Sequence, residues 1–462
     1  MDYQDFIRQK SQSNLYYGFD PIEIPDFLFD FQKDLVTWAL QKGRSAIFAA
    51  CGLGKTAMQL VWADNIARKT NKPVLILAPL AVSYQTQREA EKFGIDCKVS
   101  RNGKIHNHIT VTNYEKLHLF DITEIPGIVC DESSCIKDQN SQRRDLIIDY
   151  MKRVPYRLLC SATPSPNSYT ELGNSSEALG GLGYIEMLTR YFTKNTDKNK
   201  RASHKDTNYQ KGMIGIWEGK DWRFRGHSEM PFWEWVATWA KAIRKPSDMK
   251  YSDDGFLLPP IIEKRHIIKS SNIEEGMLFA LPAIGLNAQR RESKRTISDR
   301  AEYTSDLINR SDKQFTAWCH LNDEGDALEE LIEDSVQVSG KDSDDLKEKK
   351  LLAFINEDIK VLITKPKIGA WGLNMQNCHN TAYYPSHSFE FFHQAMHRHQ
   401  RYGQKNQVNL HLIMTDAHQE VMDNLSRKAI AADRMFDRLC RAINGIEFDN
   451  YGNLKTEVPS WL

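Results

Sequence analysis

The sequence predicts an α/β fold in which two domains, each built on a parallel β-sheet, follow one another along the chain. At 462 residues the chain is long enough for two or three domains of about 150 residues each. Short apolar runs of strand type alternate with helical patterns in the first half, and the same alternation returns in the second half. Between the two halves, the alternation lapses over residues 173–258, which are rich in aromatic and charged side chains.

Most of the strands predicted in the first half are short apolar runs, the pattern of strands that are covered on both faces of a parallel sheet. They are residues 44–50, 74–79, 109–114, 127–130 and 158–160. Amphipathic spacing predicts helices over residues 27–40, from Ala57 onward, and over residues 84–93. Because strands and helices alternate, successive strands are expected to lie parallel to one another.

The second half repeats this pattern with strands predicted at residues 314–319, 336–338 and 361–364 and a helix at 324–333. Gly255, Pro259 and Pro260 punctuate the chain, so the link between the domains is expected near them. Residues 232–239 repeat large apolar side chains at helical spacing, which predicts core rather than a ligand platform. The expected division is an N-terminal arm (1–20), a first domain (21–172), an insertion (173–258), a second domain (259–440) and a polar tail (441–462).

Composition narrows the class of protein. Lys and Arg total 61, as do Asp and Glu, so a net charge of zero gives no global sign of a nucleic-acid or membrane binder. Any site for a polyanion must therefore be local. The eight cysteines lack a CxxC pair, which is typical of reduced thiols. The start lacks a signal pattern, and no apolar run approaches the roughly 18 residues of a membrane span. A cytoplasmic protein without a membrane segment is expected.

A glycine turn after the first strand is suited to bind the phosphates of a nucleoside triphosphate. Small residues let backbone N–H groups converge on phosphate oxygens, the Lys55 ammonium reaches the β and γ oxygens, and the Thr56 hydroxyl holds Mg²⁺. Ala49 stands where the phosphate-loop pattern has its first glycine. The predicted nucleotide-binding residues of this turn and of the helix after it are Gly52, Leu53, Gly54, Lys55, Thr56 and Ala57.

An acidic pair, Asp131 and Glu132, ends a later strand of the same half. An ATPase needs two carboxylates at the carboxyl edge of its sheet. Asp131 is expected to hold Mg²⁺ and Glu132 to polarise the attacking water. The next strand ends in Ser161 and, two residues on, Thr163, whose hydroxyls can hydrogen-bond across to the acidic loop.

Basic and aromatic residues interleave in the insertion. Lys220, Arg223 and Arg225 alternate with Trp222 and Phe224, a combination suited to contacts with a nucleic-acid backbone and to base stacking. The alternative is a solvated insertion in which a few aromatic side chains pack.

Three of these stretches resemble motifs I, II and III of superfamily 2 helicases: residues 52–56 (Gly-Leu-Gly-Lys-Thr), 131–134 (Asp-Glu-Ser-Ser) and 161–164 (Ser-Ala-Thr-Pro). Residues 77–80, 131–137 and 163–167 resemble the patterns of the Swi/Snf-like translocase branch. The resemblance implies two tandem RecA-like domains with ATP in the cleft between them. It also gives Gln32 a role, since its amide suits the Hoogsteen edge of adenine.

Two later stretches resemble motifs V and VI of that branch: residues 369–374 and residues 394–404. In the second of these, a spacing of three is expected to place Arg398 and Arg401 on one helix face. The resemblance makes Arg401 the arginine finger, which stabilises charge on the γ-phosphoryl oxygens, and Arg398 its partner. It also implies nucleotide contact by Gly372, and nucleic-acid contact by Pro79, Asn113, Tyr114, Thr163, Gly369 and Asn374.

The function implied is an ATP-dependent DNA translocase or helicase with ATP and Mg²⁺ as cofactors and DNA, duplex or single-stranded, bound through its backbone. Alternatives are an RNA helicase, the motor subunit of a restriction system, and a non-hydrolysing ATP switch or scaffold. Glu132 and Arg401 argue against the switch, since neither is needed merely to bind ATP. The compact core also resembles helicases encoded by bacteriophages, and a monomer is plausible.

Overall fold

The computed structural model describes residues 16–106, 108–165, 168–194, 222–269, 286–369, 374–386 and 388–446. The chain forms two compact units. The first holds the residues up to Asp253 together with those from Ala432 onward, and the second is Asp254–Ala431. Each unit has one large, wholly parallel sheet, which confirms the predicted α/β fold with two parallel sheets.

The strands of the first unit are β1 (Arg44–Ala49), β2 (Val74–Ala78), β3 (Cys97–Val99), β4 (Ile109–Asn113), β5 (Gly127–Asp131), β6 (Tyr156–Ser161), β7 (Phe192–Lys194), β8 (Trp222–Phe224) and β9 (Ala240–Ile243). Those of the second are β10 (Ile261–Ile268), β11 (Phe315–Trp318), β12 (Ser335–Val338), β13 (Val361–Thr364), β14 (Asn380–Tyr383) and β15 (Val408–Thr415).

The helices of the first unit are α1 (Asp30–Lys42), α2 (Lys55–Thr70), α3 (Leu80–Phe93), α4 (Gln142–Arg153), α5 (Leu172–Leu179), α6 (Tyr184–Tyr191) and α7 (Glu229–Ala237). Those of the second are α8 (Leu286–Arg295), α9 (Ile297–Asn309), α10 (Asn322–Leu331), α11 (Asp344–Ile355), α12 (Pro366–Gly369) and α13 (Phe389–His399). The last helix, α14 (Gln419–Asn444), begins in the second unit and ends in the first.

The first sheet has the strand order β3-β4-β2-β5-β6-β1-β9. Its central strands are buried along nearly their whole length, because helices cover both faces of the sheet. Since β5, β6 and β1 are neighbours and parallel, the loops that follow them emerge side by side at one edge. The residues after these three strands are those that the sequence singles out.

Strand β9 differs from the prediction for the insertion. It pairs with β1 and closes one side of the first sheet, so the last part of the insertion belongs to the core of the first unit. The helical spacing over residues 232–239 ends earlier than expected, since α7 stops at Ala237. The structure confirms that these residues form core, because Phe232, Trp233, Trp235 and Trp239 are all buried.

The second sheet has the strand order β10-β15-β14-β11-β13-β12. Side chains alternate between two buried layers, as the period of two in a strand requires. Trp318 and Leu362 face one layer with Phe354, while Ala317 and Ile363 face the other. The edge strand β10 is largely exposed, and it pairs with β15.

The bounds of the two units differ from the expected domain division. The second unit ends at Ala431 rather than at residue 440, and the chain from Ala432 belongs to the first unit. There Met435, Leu439 and Ile443 are buried, and the Asn444 amide donates to the carbonyl of Ala242 at 2.9 Å. None of the helices in the described part of the chain combines the length and the apolar character that a bilayer span requires.

Candidate functional site

The glycine turn between β1 and α2 adopts a conformation that only glycine takes without strain at two positions. Gly52 has a φ of +87° and Gly54 a φ of +73°. Ala49, at the position where the pattern has its first glycine, is the last residue of β1 and does not have a positive φ. An alanine is therefore accommodated there without strain.

Lys55 begins helix α2, and its ammonium donates to the carbonyls of Ala49 and Ala50 at 2.8 and 3.2 Å. The side chain therefore folds over the turn, where a phosphate group would lie. The first N–H groups of α2 have no partner within the helix and carry the positive end of its dipole. Together they favour an anion at this turn.

Gln32 of α1 hydrogen-bonds to the backbone of the glycine turn. Its Nε2 donates to the carbonyl of Leu53 at 2.9 Å, and its Oε1 accepts from the N–H of Phe29 at 3.0 Å. A Cβ at Gly54 would come within 2.3 Å of Nε2, so glycine is needed there for a second reason. The structure thus shows a contact of Gln32 with the turn, and its contact with adenine stays a prediction.

Asp131 ends β5 and lies beside helix α2. One carboxylate oxygen, Oδ1, accepts from the Nε2 of Gln59 at 2.7 Å. Gln59 lies three residues after Thr56 in the same helix and is fully buried. Sequence reasoning missed Gln59, although a glutamine inside the apolar run Ala-Met-Gln-Leu-Val was a signal that could have found it.

Glu132 has a positive φ of +58°, an uncommon conformation for a residue with a side chain. Its Oε1 accepts from the hydroxyls of Ser134 at 2.9 Å and Ser161 at 2.6 Å. The Ser161 oxygen in turn accepts from the N–H of Thr163 at 3.0 Å. The structure therefore shows the predicted hydrogen bond between the end of β6 and the acidic loop, and it adds Ser134, which sequence reasoning did not single out.

The oxygen ligands at this edge fit a nucleoside triphosphate with Mg²⁺. Mg²⁺ prefers hard oxygen ligands and is usually held by one or two protein groups together with phosphate oxygens. The Thr56 hydroxyl and the Asp131 carboxylate are such ligands. The glycine turn and Lys55 supply the N–H groups and the positive charge that phosphates require.

Tyr114 is almost completely buried. It is 4% exposed, and its hydroxyl donates to the backbone carbonyl of Asp131. Burial raises the pKa of the Tyr114 phenol well above its ordinary value, so it remains a donor. Tyr114 therefore holds the end of β5 in place, and its contact with nucleic acid stays a prediction.

The other predicted nucleic-acid residues of the first unit lie at the carboxyl edge of the sheet. Pro79 follows β2 and precedes α3, and Thr163 lies just after β6. Asn113 ends β4, is 8% exposed, and donates from Nδ2 to Glu115 at 2.9 Å. Their contact with nucleic acid stays a prediction.

The basic segment of the insertion is described only from Trp222 onward, so Lys220 lies outside the described residues. Arg223 and Arg225 are exposed. Phe224 stacks on Phe192 with ring centroids 4.7 Å apart and contacts Phe232 at 5.3 Å. The ring of Phe224 thus packs in an aromatic core rather than serving as a platform for bases.

The two predicted arginines of the second unit do not share a helix face. Helix α13 ends at His399, so Arg398 is helical and Arg401 is not. Gly403, with a φ of +94°, and the Gln404 amide, which donates to the carbonyl of His399 at 3.2 Å, form a turn after the helix. Because the chain leaves the helical conformation before Arg401, the spacing of three residues no longer places Arg401 on the same helix face as Arg398.

The remaining predicted residues, Gly369, Gly372 and Asn374, lie in or next to residues 370–373, which are outside the described residues. Gly369 ends the short helix α12, and Gly372 falls in that stretch, at residues 370–373. Asn374 follows it and is half-buried. Next to Asn374, the N–H of Met375 donates to the carbonyl of Arg398 at 2.9 Å. The chain after residue 373 therefore contacts helix α13 within the second unit.

Comparison with known proteins matches residues 26–166 to the family described as "Type III restriction enzyme, res subunit". A curated relative from Caenorhabditis elegans is described as "SWI/SNF-related matrix-associated actin-dependent regulator of chromatin subfamily A-like protein 1 homolog". It is 28% identical over 185 residues, which cover 36% of this chain and 26% of the relative. The chain thus matches about a quarter of that protein's length.

A solved structure, "Sulfolobus solfataricus SWI2/SNF2 ATPase core in complex with dsDNA", aligns with a TM-score of 0.39 and 17% identity. The alignment covers 92% of this chain and 96% of that one. The family match includes the glycine turn and the acidic loop, and the curated relative belongs to the branch that the motifs resemble. Over residues 26–166 the chain is therefore similar to that family, and the stretches that resemble motifs I, II and III of superfamily 2 helicases all lie within these residues.

Proposed function

We propose that the chain is an ATP-dependent DNA translocase or helicase that moves along DNA without sequence preference. One observation carries the proposal. Three adjacent parallel strands, β1, β5 and β6, bring together at their carboxyl ends Lys55 and Thr56, Asp131 and Glu132, and Ser161. Residues at neighbouring carboxyl ends of a sheet lie close enough to act on one bound phosphate chain.

Each of these residues has a distinct part in ATP hydrolysis. Lys55 and the N–H groups of the turn bind the phosphates, while Glu132 takes a proton from the attacking water. Mg²⁺, held by Thr56 and Asp131, would neutralise charge on the β- and γ-phosphate oxygens. The hydroxyls of Ser134 and Ser161 fix the carboxylate of Glu132, so that it meets the water in one orientation.

ATP turnover measured in parallel without polymer, with single-stranded DNA, with duplex DNA and with RNA tests this proposal. DNA is expected to stimulate turnover more than RNA does. Stimulation should weaken as salt rises, because contacts with backbone phosphates release counterions. Stronger stimulation by RNA would favour an RNA helicase. Nucleotide binding without turnover on any polymer would favour a switch or scaffold.

A second candidate is the motor subunit of a restriction system, which the family match over residues 26–166 favours. Such a motor depends on further subunits that recognise a DNA sequence. Turnover by this chain alone on duplex DNA of arbitrary sequence would support the independent translocase. Turnover that requires another subunit would support the restriction motor.

The assignment of Arg401 remains a proposal that rests on the motif resemblance, since Arg401 belongs to the second unit and Lys55 to the first. Arg401→Ala is expected to lower DNA-stimulated turnover by about 10²-fold or more, against about 10³–10⁵ for arginine fingers in general. ATP affinity should change little, because the glycine turn supplies most ground-state contacts. Arg401→Lys should not restore turnover, since an ammonium lacks the planar fork of a guanidinium.

A matched control for Arg401 is Arg310→Ala, which removes an arginine of the same unit whose side chain is 81% exposed and pairs with Asp306. It should leave turnover unchanged. Turnover of Arg401→Ala within about twofold of the parent would remove Arg401 from the site and would direct attention to Arg398.

The cellular setting is also part of the proposal. All eight cysteines are free thiols in the structure, which suits a reducing compartment such as the cytoplasm. DNA binding through the exposed Arg223 and Arg225 is a further part of it, supported by their charge and accessibility. A bacteriophage origin stays a prediction from the resemblance.

A further inference from the structure

Gln59 occupies an unusual position for a glutamine. It lies on the buried side of α2, inside the apolar run that follows Lys55 and Thr56, and it has no exposed surface. Its Nε2 donates to Asp131 Oδ1 at 2.7 Å. Only this orientation of the amide is compatible with a carboxylate, since the opposite one would place two acceptor oxygens together.

The other end of the same amide is not satisfied. Gln59 Oε1 is buried and has no hydrogen-bond partner. An unsatisfied amide oxygen in a core costs about 1–3 kcal/mol. An apolar side chain of the same size would avoid that cost, so the fold alone gives no reason for a glutamine here. The hydrogen bond to Asp131 is the one contact among the described residues that a glutamine makes here and an apolar side chain could not.

The position of Asp131 in the sheet explains why it needs a partner. Asp131 is the last residue of β5, and its register partner on β6 is Cys160. A thiol is a weak hydrogen-bond donor, whereas the Gln59 amide donates to Asp131 Oδ1 at 2.7 Å.

We propose that Gln59 is a positioning residue that orients the carboxylate of Asp131 for Mg²⁺ bound with the nucleotide. This inference rests on the proposed function. With Oδ1 held by the amide, the second carboxylate oxygen is directed rather than free to rotate. Thr56, one helical turn before Gln59, is carried by the same rigid helix. The two expected metal ligands are thus set relative to one another by α2, one directly and one through Gln59.

The test is binding of a fluorescent ADP analogue at increasing Mg²⁺ and, separately, in EDTA. In Gln59→Leu the half-saturating Mg²⁺ concentration for nucleotide binding should rise about 10-fold or more, as it does when groups that orient metal ligands are removed. Affinity in EDTA should match the parent protein. Turnover at saturating nucleotide should recover in part as Mg²⁺ is raised.

Two further variants separate positioning from a structural role. Gln59→Glu keeps the shape but places a carboxylate against Asp131, so it should shift the Mg²⁺ requirement more than leucine does. Gln59→Met provides a flexible apolar side chain in case leucine does not fit the site. If Gln59 had only a structural role, replacing it would lower the melting temperature and leave the Mg²⁺ requirement unchanged. If Gln59 is a positioning residue, an apolar replacement only removes an unsatisfied oxygen, so the melting temperature should stay unchanged or rise.

Gln85→Leu is the matched control. Gln85 lies in α3, donates to the carboxylate of Glu89 at 2.8 Å, and also has a buried Oε1 without a partner. It should leave the Mg²⁺ requirement unchanged. If the parent binds the nucleotide and depends on Mg²⁺, while Gln59→Leu and Gln59→Glu have the same requirement as the parent, the inference is wrong. If the parent binds no nucleotide, the proposed function itself fails.

Discussion

Glu132→Gln is expected to bind ATP almost as well as the parent and to lower DNA-stimulated turnover by about 10²–10⁴-fold, the range that general acid–base catalysis contributes. Glutamine has the same shape, and its Oε1 can still accept from the hydroxyls of Ser134 and Ser161. The acidic loop should therefore keep its conformation. What the amide cannot do is accept a proton from the attacking water.

The measurement is single-turnover hydrolysis together with nucleotide affinity. Glu124→Gln serves as the control, because Glu124 lies in the same unit and forms a surface ion pair with Lys72 at 3.1 Å. Lys72 lies just before β2, so this pair is at the edge of the sheet opposite the glycine turn. Near-normal hydrolysis by Glu132→Gln in the presence of DNA would show that the acidic pair is not the hydrolytic site.

Lys55→Ala should have the second large effect, on binding as well as on turnover. A hydrogen bond to a charged group contributes about 1.5–3 kcal/mol, so nucleotide affinity is expected to fall by about 10- to 100-fold. Turnover should fall below detection, because the ammonium is also needed as charge develops on the phosphates. Affinity is measured by titration with a fluorescent nucleotide, and turnover by phosphate release.

Lys72→Ala is the matched control for Lys55→Ala, since it removes a lysine whose side chain is 48% exposed at the opposite edge of the same sheet. Surface pairs of this kind contribute little to stability. Because Lys55 also donates to the carbonyls of Ala49 and Ala50, the melting temperature of Lys55→Ala must be compared with that of the parent. Unchanged nucleotide affinity in a folded Lys55→Ala protein would contradict the assignment of the glycine turn.

The bounds of a strand are predicted best from the sequence where the strand is completely buried. Strands β2, β4 and β13 lie within one residue of their predicted bounds, and each is buried along its whole length. The turn and the acidic pair were predictable because phosphate chemistry restricts both residue type and spacing. A hydrogen bond from Ser161 to the acidic loop was predictable because a hydroxyl at a strand end can donate across to it.

Other features depend on contacts that no local pattern contains. Strand β10 carries charged residues in its middle because it lies at an edge, so its sequence lacks a strand period. Helix α13 ends at His399 because of the turn that contains Gly403 and Gln404, and this moved Arg401 off the helix. The resemblance implied that Tyr114 contacts nucleic acid, whereas tertiary packing buries its side chain almost completely.

Helix α14 gives the chain an unusual covalent connectivity. It passes from the second unit to the first without a glycine or proline, so the polypeptide joins the two units at residues 253–254 and again at 431–432. Because the chain is linear, a protease cut at either junction would divide it into two fragments, held together only by the packing of the residues from Ala432 onward within the first unit. A fragment that stops at Asp253 would also lack Met435, Leu439 and Ile443, and would expose the apolar surface that they cover. The first unit is therefore complete only when the chain has returned to it, so a truncation meant to isolate it must keep the residues from Ala432 onward as well as those up to Asp253.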